Sequence, residues 1–230
     1  MNSTLLRLRL RVRAPFLFKS GASLPLGLDA ATLEDQEGHA LIPGTHLRGH
    51  LSHALREFAH YGALTKAWID AWFGAESQAD SNDAPKRGRL DFDAYWKASP
   101  DGAAPLPRNQ WMPLPSASFT GQSATRYRVR IDDTTGTADP CALQLIGQTH
   151  AAGTLVNLDG YINIEAASES ELKEIERWLR KALEWIPGLG ALKGIGFGRL
   201  ESYELKRETD KTPALEPPAN ADSLRALALS

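Results

Sequence analysis

A single cysteine, Cys141, stands in a chain of 230 residues, which excludes an internal disulfide framework and any zinc module built on several thiolates. Long apolar runs are missing as well. No window approaches the roughly 18 consecutive apolar residues of a membrane span, and the first twenty residues carry no apolar leader core. These absences set the expectation of a cytoplasmic protein with no membrane partner. Net charge is nearly absent at −2, so affinity for a polyanion has to come from a local basic patch. There is no GxxxxGK[ST] and no HExxH motif. What remains is ordinary: 42% hydrophobic and 23% charged residues suffice for one buried core, so the chain fits one domain with insertions.

The first segment, "LRLRLRVRAPF", alternates strictly, with Leu6, Leu8, Leu10 and Val12 on one face and Arg7, Arg9, Arg11 and Arg13 on the other. Period two predicts a half-buried strand. At about 3.4 Å rise per residue, successive arginines lie about 6.8 Å apart, near the phosphate spacing of an extended nucleic-acid strand. A solvated sheet face presents the same row. After a small-residue loop over 20–38, Pro43-Gly44-Thr45 reads as a turn with Thr45 as N-cap of a helix. Its buried stripe is Leu47, Leu51, Ala54, Leu55 and Phe58. Gly49 inside that helix costs about 1 kcal/mol against alanine, a sign of close packing or of a ligand's approach. A short helix over 66–74 follows.

Beyond it the pattern predicts a polar insertion at 75–87, then one strand with Leu90, Phe92, Ala94 and Trp96 on one face. A Pro-rich connection occupies 97–118. A hairpin lies within 126–150, turning at 132–140, with Arg126, Arg128 and Arg130 opposite Tyr127, Val129 and Ile131. The next strand carries Val156, Leu158, Ile162 and Ile164 on one face. The second long helix opens on a Ser168/Glu171 capping box and pairs Glu169 with Lys173 and Glu176 with Arg180. Leu172, Ile175, Leu179, Ala182 and Ile186 line its core face, and Pro187-Gly188 ends it. A last strand, "RLESYELK", closes a domain over 1–206, leaving 207–230 as a linker with room for a short terminal helix. The order gives an α+β, ferredoxin-like (RRM-like) βαββαβ plan with long loops, helices on one sheet face and the other face left for a ligand.

Three clusters carry candidate chemistry. In "GALKGIGFGRLESYELK", Gly194, Gly196 and Gly198 alternate between Lys193 and Arg199. A nucleotide loop needs strand, glycines, then helix; here the order is helix, glycines, strand, so no nucleotide cofactor is expected. The stretch is either a loop that lays backbone N–H groups against a phosphodiester or a flexible turn. His46, His50, His53 and His60 share one helix stripe with Glu57, which leaves metal binding, RNA or acid–base work, and a plain polar face all open. Asp29, Glu34 and Asp35 precede the first helix, and residue chemistry alone does not rank them.

In order along the chain, "LDAATLEDQEGHALIPGTHLRGHLSHALRE", "WFGA", "GRLDFDA", the arginine-rich hairpin and "GLGALKGIGFGRL" resemble the RAMP superfamily of CRISPR–Cas over residues 5 to 206. Within it the chain is most similar to the repeating backbone (Csm/Cmr-type) subunit of type III effectors. The resemblance implies an RRM-like palm with an inserted β-hairpin thumb, copies of which stack into a filament on CRISPR guide RNA beside other effector subunits. It implies further that complementary target RNA is cut in a reaction needing a divalent metal, Mg²⁺ by expectation, at an aspartate that falls here on Asp29. The metal's ligands are unknown from sequence. Gly44, Thr45 and Arg48 match the family's guide-backbone contact; Arg126, Arg128 and Arg130 lie at the thumb base; Lys193, Gly194, Gly196, Gly198 and Arg199 form the glycine loop. Two other readings stay open. One is a non-catalytic RNA-binding scaffold. The other is a metal-independent guide-processing endoribonuclease using His46 or His50.

Overall fold

A computed structural model describes residues 2–18, 29–75, 86–106, 108, 124–129, 131–139, 142–148 and 150–208. Cys141, Arg130, most of the 75–87 insertion and the tail from 209 lie outside these residues. In chain order the elements are β1 (Asn2–Arg13), β2 (Leu33–Glu34), β3 (Ala40–Pro43), α1 (Gly44–His60) and α2 (Lys66–Phe73). Then come β4 (Gly74–Ala75), β5 (Lys86–Arg87), β6 (Leu90–Phe92), β7 (Tyr95–Pro100), β8 (Ala124–Arg128) and β9 (Gln144–Gln148). The chain ends in β10 (Leu155–Ala166), α3 (Glu169–Trp185) and β11 (Arg199–Arg207).

The main sheet runs β11-β1-β10-β7-β3-β2, and every described pairing in it is antiparallel. β1 supplies the spine because alternation lets it bury Leu6, Leu8, Leu10 and Val12 while pairing along its full length with β10. The β10 residues Val156, Leu158, Ile162 and Ile164 share that face. Helices α1 and α3 cover it with the stripes expected from sequence, Leu47, Leu51, Ala54 and Leu55 against Leu172, Ile175, Leu179 and Ala182. Ser168 caps α3 by accepting from the Glu171 N–H at 3.2 Å.

Several expectations need correction. α1 begins at Gly44, with Pro43 as N-cap; Thr45 is exposed in the first turn and caps nothing. The Gly44 N–H is instead satisfied by the Ala94 carbonyl at 2.8 Å, and a Cβ on Gly44 would lie 2.0 Å from the Asp93 carbonyl oxygen. The single strand predicted across 90–96 breaks at Asp93-Ala94, because the Asp93 carboxylate accepts from the Tyr161 N–H at 3.0 Å and takes the ladder position. β7 extends to Pro100, so the Pro-rich connection begins at 101 and not at 97. The 20–38 loop contributes an unforeseen strand, β2, at the sheet edge. Glu176 turns to Arg207 at 2.5 Å in place of Arg180, whose guanidinium donates to the Leu205 carbonyl.

The second sheet face is not an open platform. All four β1 arginines are paired: Arg7 with Glu208 at 3.3 Å, Arg9 with Asp159 at 2.9 Å, Arg11 with Asp101, and Arg13 with Glu201 at 2.6 Å. The stretch after β7 also folds across this face. Arg9 donates to the Ala103 carbonyl at 2.7 Å, Tyr161 Oη to the Leu106 carbonyl at 3.3 Å, and Arg108 pairs with Asp93 at 2.9 Å. Exposed rows spaced like phosphates are thus neutralised within the chain.

Candidate nucleic-acid interface

Helix α1 presents three stripes. At about 100° per residue they lie roughly 120° apart. One is the core stripe. The second holds His46, His50 and His53. The third holds Thr45, Arg48, Gly49, Ser52 and Arg56.

The histidine stripe meets the glycine loop. His50 Nε2 accepts from the Gly190 N–H at 3.2 Å, and its Nδ1 lies 3.3 Å from Lys193 Nζ. Burial first, then the nearby Lys193 charge, His46 and His53, depress the His50 pKa to about 4. The imidazole is therefore neutral, and its acceptor nitrogen is already occupied by the Gly190 N–H, which leaves it poorly placed to act as a general base. His46 packs its ring against Phe18 at 6.0 Å between centroids.

The loop itself is shaped by backbone needs. Gly196 has φ +87°, and Gly198 has φ +63° with its Cβ position 2.0 Å from the Leu189 carbonyl oxygen. Gly194 differs: its φ is ordinary and a Cβ there would meet nothing within 4 Å. Phe197 points inward and joins Leu17, Ala30 and Ile146 in a small satellite core. That cluster brings together elements far apart in sequence: the segment after β1, the Asp29-Ala30 stretch, the β8–β9 hairpin and the glycine loop. Arg126 stacks over the Phe197 ring at 5.2 Å, placing the β8–β9 hairpin against the loop.

Asp29 is exposed beside this junction. Its N–H donates to the Leu145 carbonyl at 2.9 Å, and its Oδ2 accepts from the Leu145 N–H at 2.6 Å. Glu34 and Asp35 are both buried. Asp35 accepts from Lys97 and from the Glu37 and His39 N–H groups, which together outweigh burial and hold its carboxyl below the usual range. Asp35, Glu37 and His39 are the only described residues whose donor atoms cluster tightly enough for a metal. Lys97 Nζ already sits 2.8 Å from Asp35 and 3.0 Å from Glu37, so an ammonium takes the cation's place.

Among the described residues, Arg48, Arg56, Arg126, Arg128 and Lys193 have no carboxylate partner, and neither do Lys66, Lys86, Arg177, Arg180 and Lys181 on other parts of the surface; Arg199 has only Glu201, at 3.6 Å. Arg48 donates to the Phe73 carbonyl, and Arg56, which the sequence reading passed over, follows it two turns on. The signal for Arg56 and Ser52 was available in the i, i+4, i+8 spacing from Arg48.

An antiparallel sheet backed by two long helices, with a separate two-stranded hairpin beside it, defines an α+β fold. The chain belongs to the RAMP superfamily, whose family model matches residues 9–201. No curated relative matches the sequence. Two solved structures share the fold at 16% identity. One is a chain from the cryo-EM structure of the type III-B Cmr-beta complex bound to cognate target RNA, with TM-score 0.50 over 88% of this chain; this chain covers 61% of that one. The other comes from a type IV-B CRISPR complex, with TM-score 0.53 over 97% of this chain and 99% of that one. No described helix is long and apolar enough to cross a membrane.

Proposed function

We propose that this chain is a guide-RNA-binding backbone subunit of a CRISPR effector complex. In this reading copies of it stack along the guide, beside other subunits, and complementary target RNA pairs on that assembly. The observation that carries the reading is a difference in partners: the four β1 arginines pair with carboxylates of this chain, whereas Arg48 and Arg56 on α1 and Arg126 and Arg128 on the β8–β9 hairpin have no carboxylate partner among the described residues. The sheet order β11-β1-β10-β7, with a helix after the first and third strands of the set, supports a ferredoxin-like palm. The β8–β9 pair, hydrogen-bonded as its own two-stranded sheet, suits a thumb.

Metal-dependent cutting of target RNA is a second layer, favoured by one observation: of the three candidates Asp29, Glu34 and Asp35, only Asp29 is exposed. A lone carboxylate suits a Mg²⁺ ion that takes its remaining ligands from water and RNA phosphates. Asp29 also holds the thumb through Leu145, so Asp29→Ala confounds chemistry with positioning. Asp29→Asn keeps an acceptor for the Leu145 N–H and removes only the charge. The test is a reconstituted guide complex with labelled complementary RNA, in Mg²⁺ or EDTA. Regular, metal-dependent cuts lost in Asp29→Asn with target binding intact make this subunit the nuclease. Cutting that survives in Asp29→Asn, or is absent in the wild type, makes it a scaffold. Cutting that resists EDTA would favour the guide-processing reading.

A further inference from the structure

Two apolar side chains stand in "GIGFG", and they go opposite ways: Ile195 is exposed, whereas Phe197 is 3% exposed. The Phe197 ring is buried with Leu17, Ala30 and Ile146, and Ala191 and Leu192 pack on the same cluster. Two of these partners adjoin Asp29. Ala30 is its chain neighbour, and Ile146 follows Leu145, whose N–H donates to Asp29 Oδ2 at 2.6 Å and whose carbonyl accepts from the Asp29 N–H at 2.9 Å. Ala30 and Ile146 are themselves joined in a parallel bridge, with the Gly147 N–H donating to the Ala30 carbonyl at 2.9 Å. The carboxylate is thus exposed, while the backbone that aims it is packed from behind against a buried ring.

The loop backbone is shaped to keep that ring in place. Gly196 and Gly198, on either side of Phe197, have φ of +87° and +63°. Leu192 has φ +62°, the only non-glycine in that region among the described residues, a conformation that a Cβ disfavours. Its carbonyl accepts from the Ile195 N–H at 3.1 Å and the Phe197 N–H at 3.4 Å, and its side chain packs on the cluster. Strain is therefore kept where a leucine, and not a glycine, supports Phe197.

We propose that Phe197 is a positioning residue for Asp29, holding the carboxylate in place through Ala30 and Ile146. The proposal rests on the metal-dependent cleavage reading above and adds to it a buried residue from the far end of the chain. An exposed carboxylate depends on its backbone for aim, and a misplacement near 1 Å costs on the order of 10²-fold in rate. Deleting the ring leaves a void that Ala30 and Ile146 fill only by moving, and Asp29 moves with them.

The test uses the reconstituted guide complex with labelled complementary RNA in Mg²⁺, under single-turnover conditions. Variants are Phe197→Ala and Phe197→Leu, with Leu172→Ala on α3 as the control for lost core packing elsewhere. Phe197→Ala should slow cutting at saturating target on the order of 10²-fold, with guide retention and target affinity unchanged. Phe197→Leu, which refills most of the space, should recover much of the rate, and Leu172→Ala should cut as wild type does. Amide exchange on the folded protein should show lost protection at Leu145 in Phe197→Ala and not in Leu172→Ala. Phe197→Ala that cuts at the wild-type rate, in a wild type that cuts, overturns the positioning role and leaves the cleavage reading standing. Slowed cutting with Leu145 still protected, or with guide or target binding lost as well, also overturns the role. Wild-type complex without metal-dependent cuts overturns the cleavage reading and the role with it. Where Phe197→Ala does not fold, Ile146→Val removes one methyl from the same cluster, and wild-type rates in both Ile146→Val and Phe197→Leu overturn the proposal.

Discussion

Arg9→Ala asks whether the β1 arginines serve the fold or a ligand. Asp159 is 2% exposed, and burial drives its carboxyl upward against the pull of Arg9. Without Arg9 the carboxylate keeps only the Ser99 hydroxyl, at 3.3 Å, among described side chains, and the Ala103 carbonyl loses its guanidinium donor. Breaking a buried pair from one side costs about 3–5 kcal/mol, a large share of the roughly 5–15 kcal/mol by which a domain is stable. The pH dependence has a definite sign. The Asp159 pKa, already raised, rises further in the variant, so the penalty is absent below the unfolded carboxyl's value, about 3.9, and develops as pH climbs past it. Urea unfolding followed by tryptophan fluorescence should show a gap to wild type that is widest near neutrality and narrows toward acid. Adding Asp159→Asn should recover much of the loss, because no charge is then left stranded. Folded Arg9→Ala protein should bind RNA with the wild-type salt slope. A loss below about 1 kcal/mol together with a reduced salt slope would refute the argument and restore the row as a phosphate track.

The glycine loop separates by position. Gly194→Val should leave the unfolding midpoint nearly unchanged, within about 0.5 kcal/mol, while weakening RNA binding; full affinity in that variant counts against a close backbone contact. Gly196→Val, at φ +87°, should instead cost about 1–2 kcal/mol of stability on its own, so it does not isolate binding. His50 is held neutral, with its pKa near 4 against about 6.5 unfolded, so its contribution is complete above pH 6.5 and lost as pH falls toward 4. A melting-temperature series should show the decline in wild type and a flatter curve in His50→Gln, whose amide can still accept from Gly190; identical curves would remove His50 as the titrating clamp.

Much of the fold was legible because period carries it. β1, α1 and α3 each bury one regular stripe, and Ser168 marks the start of α3; β10 shows the same apolar alternation although both of its faces are buried over 156–162. The two-residue β2 left no periodic trace. The break at Asp93 was hidden because its cause, the Tyr161 N–H, lies 68 residues away. The arginine row looked like a ligand track for the same reason: Arg9 and Asp159 are 150 residues apart, so local sequence shows the cation without its partner. At the site, Asp29 could be placed before α1, but only burial separated it from Glu34 and Asp35. Arg48 was found through a motif, whereas Ser52 and Arg56 belong to no motif and became visible once α1 had sides.

The hairpin's attachment sets how the molecule opens. β8 and β9 pair with each other, and their described links to the body are the Asp29–Leu145 and Ala30–Ile146/Gly147 contacts, the satellite core and the Arg126–Phe197 stack. β1, by contrast, is bonded to β10 along its whole length and to β11 over most of it. Amide hydrogen exchange should therefore divide the protein into two cooperative units, a slow main sheet with its helices and a β8–β9 hairpin that breathes without global unfolding. A partner that docks on the hairpin would then have to supply the free energy that stills it, and changes at Leu17, Ala30, Ile146 or Phe197 would weaken such docking without lying in the contact.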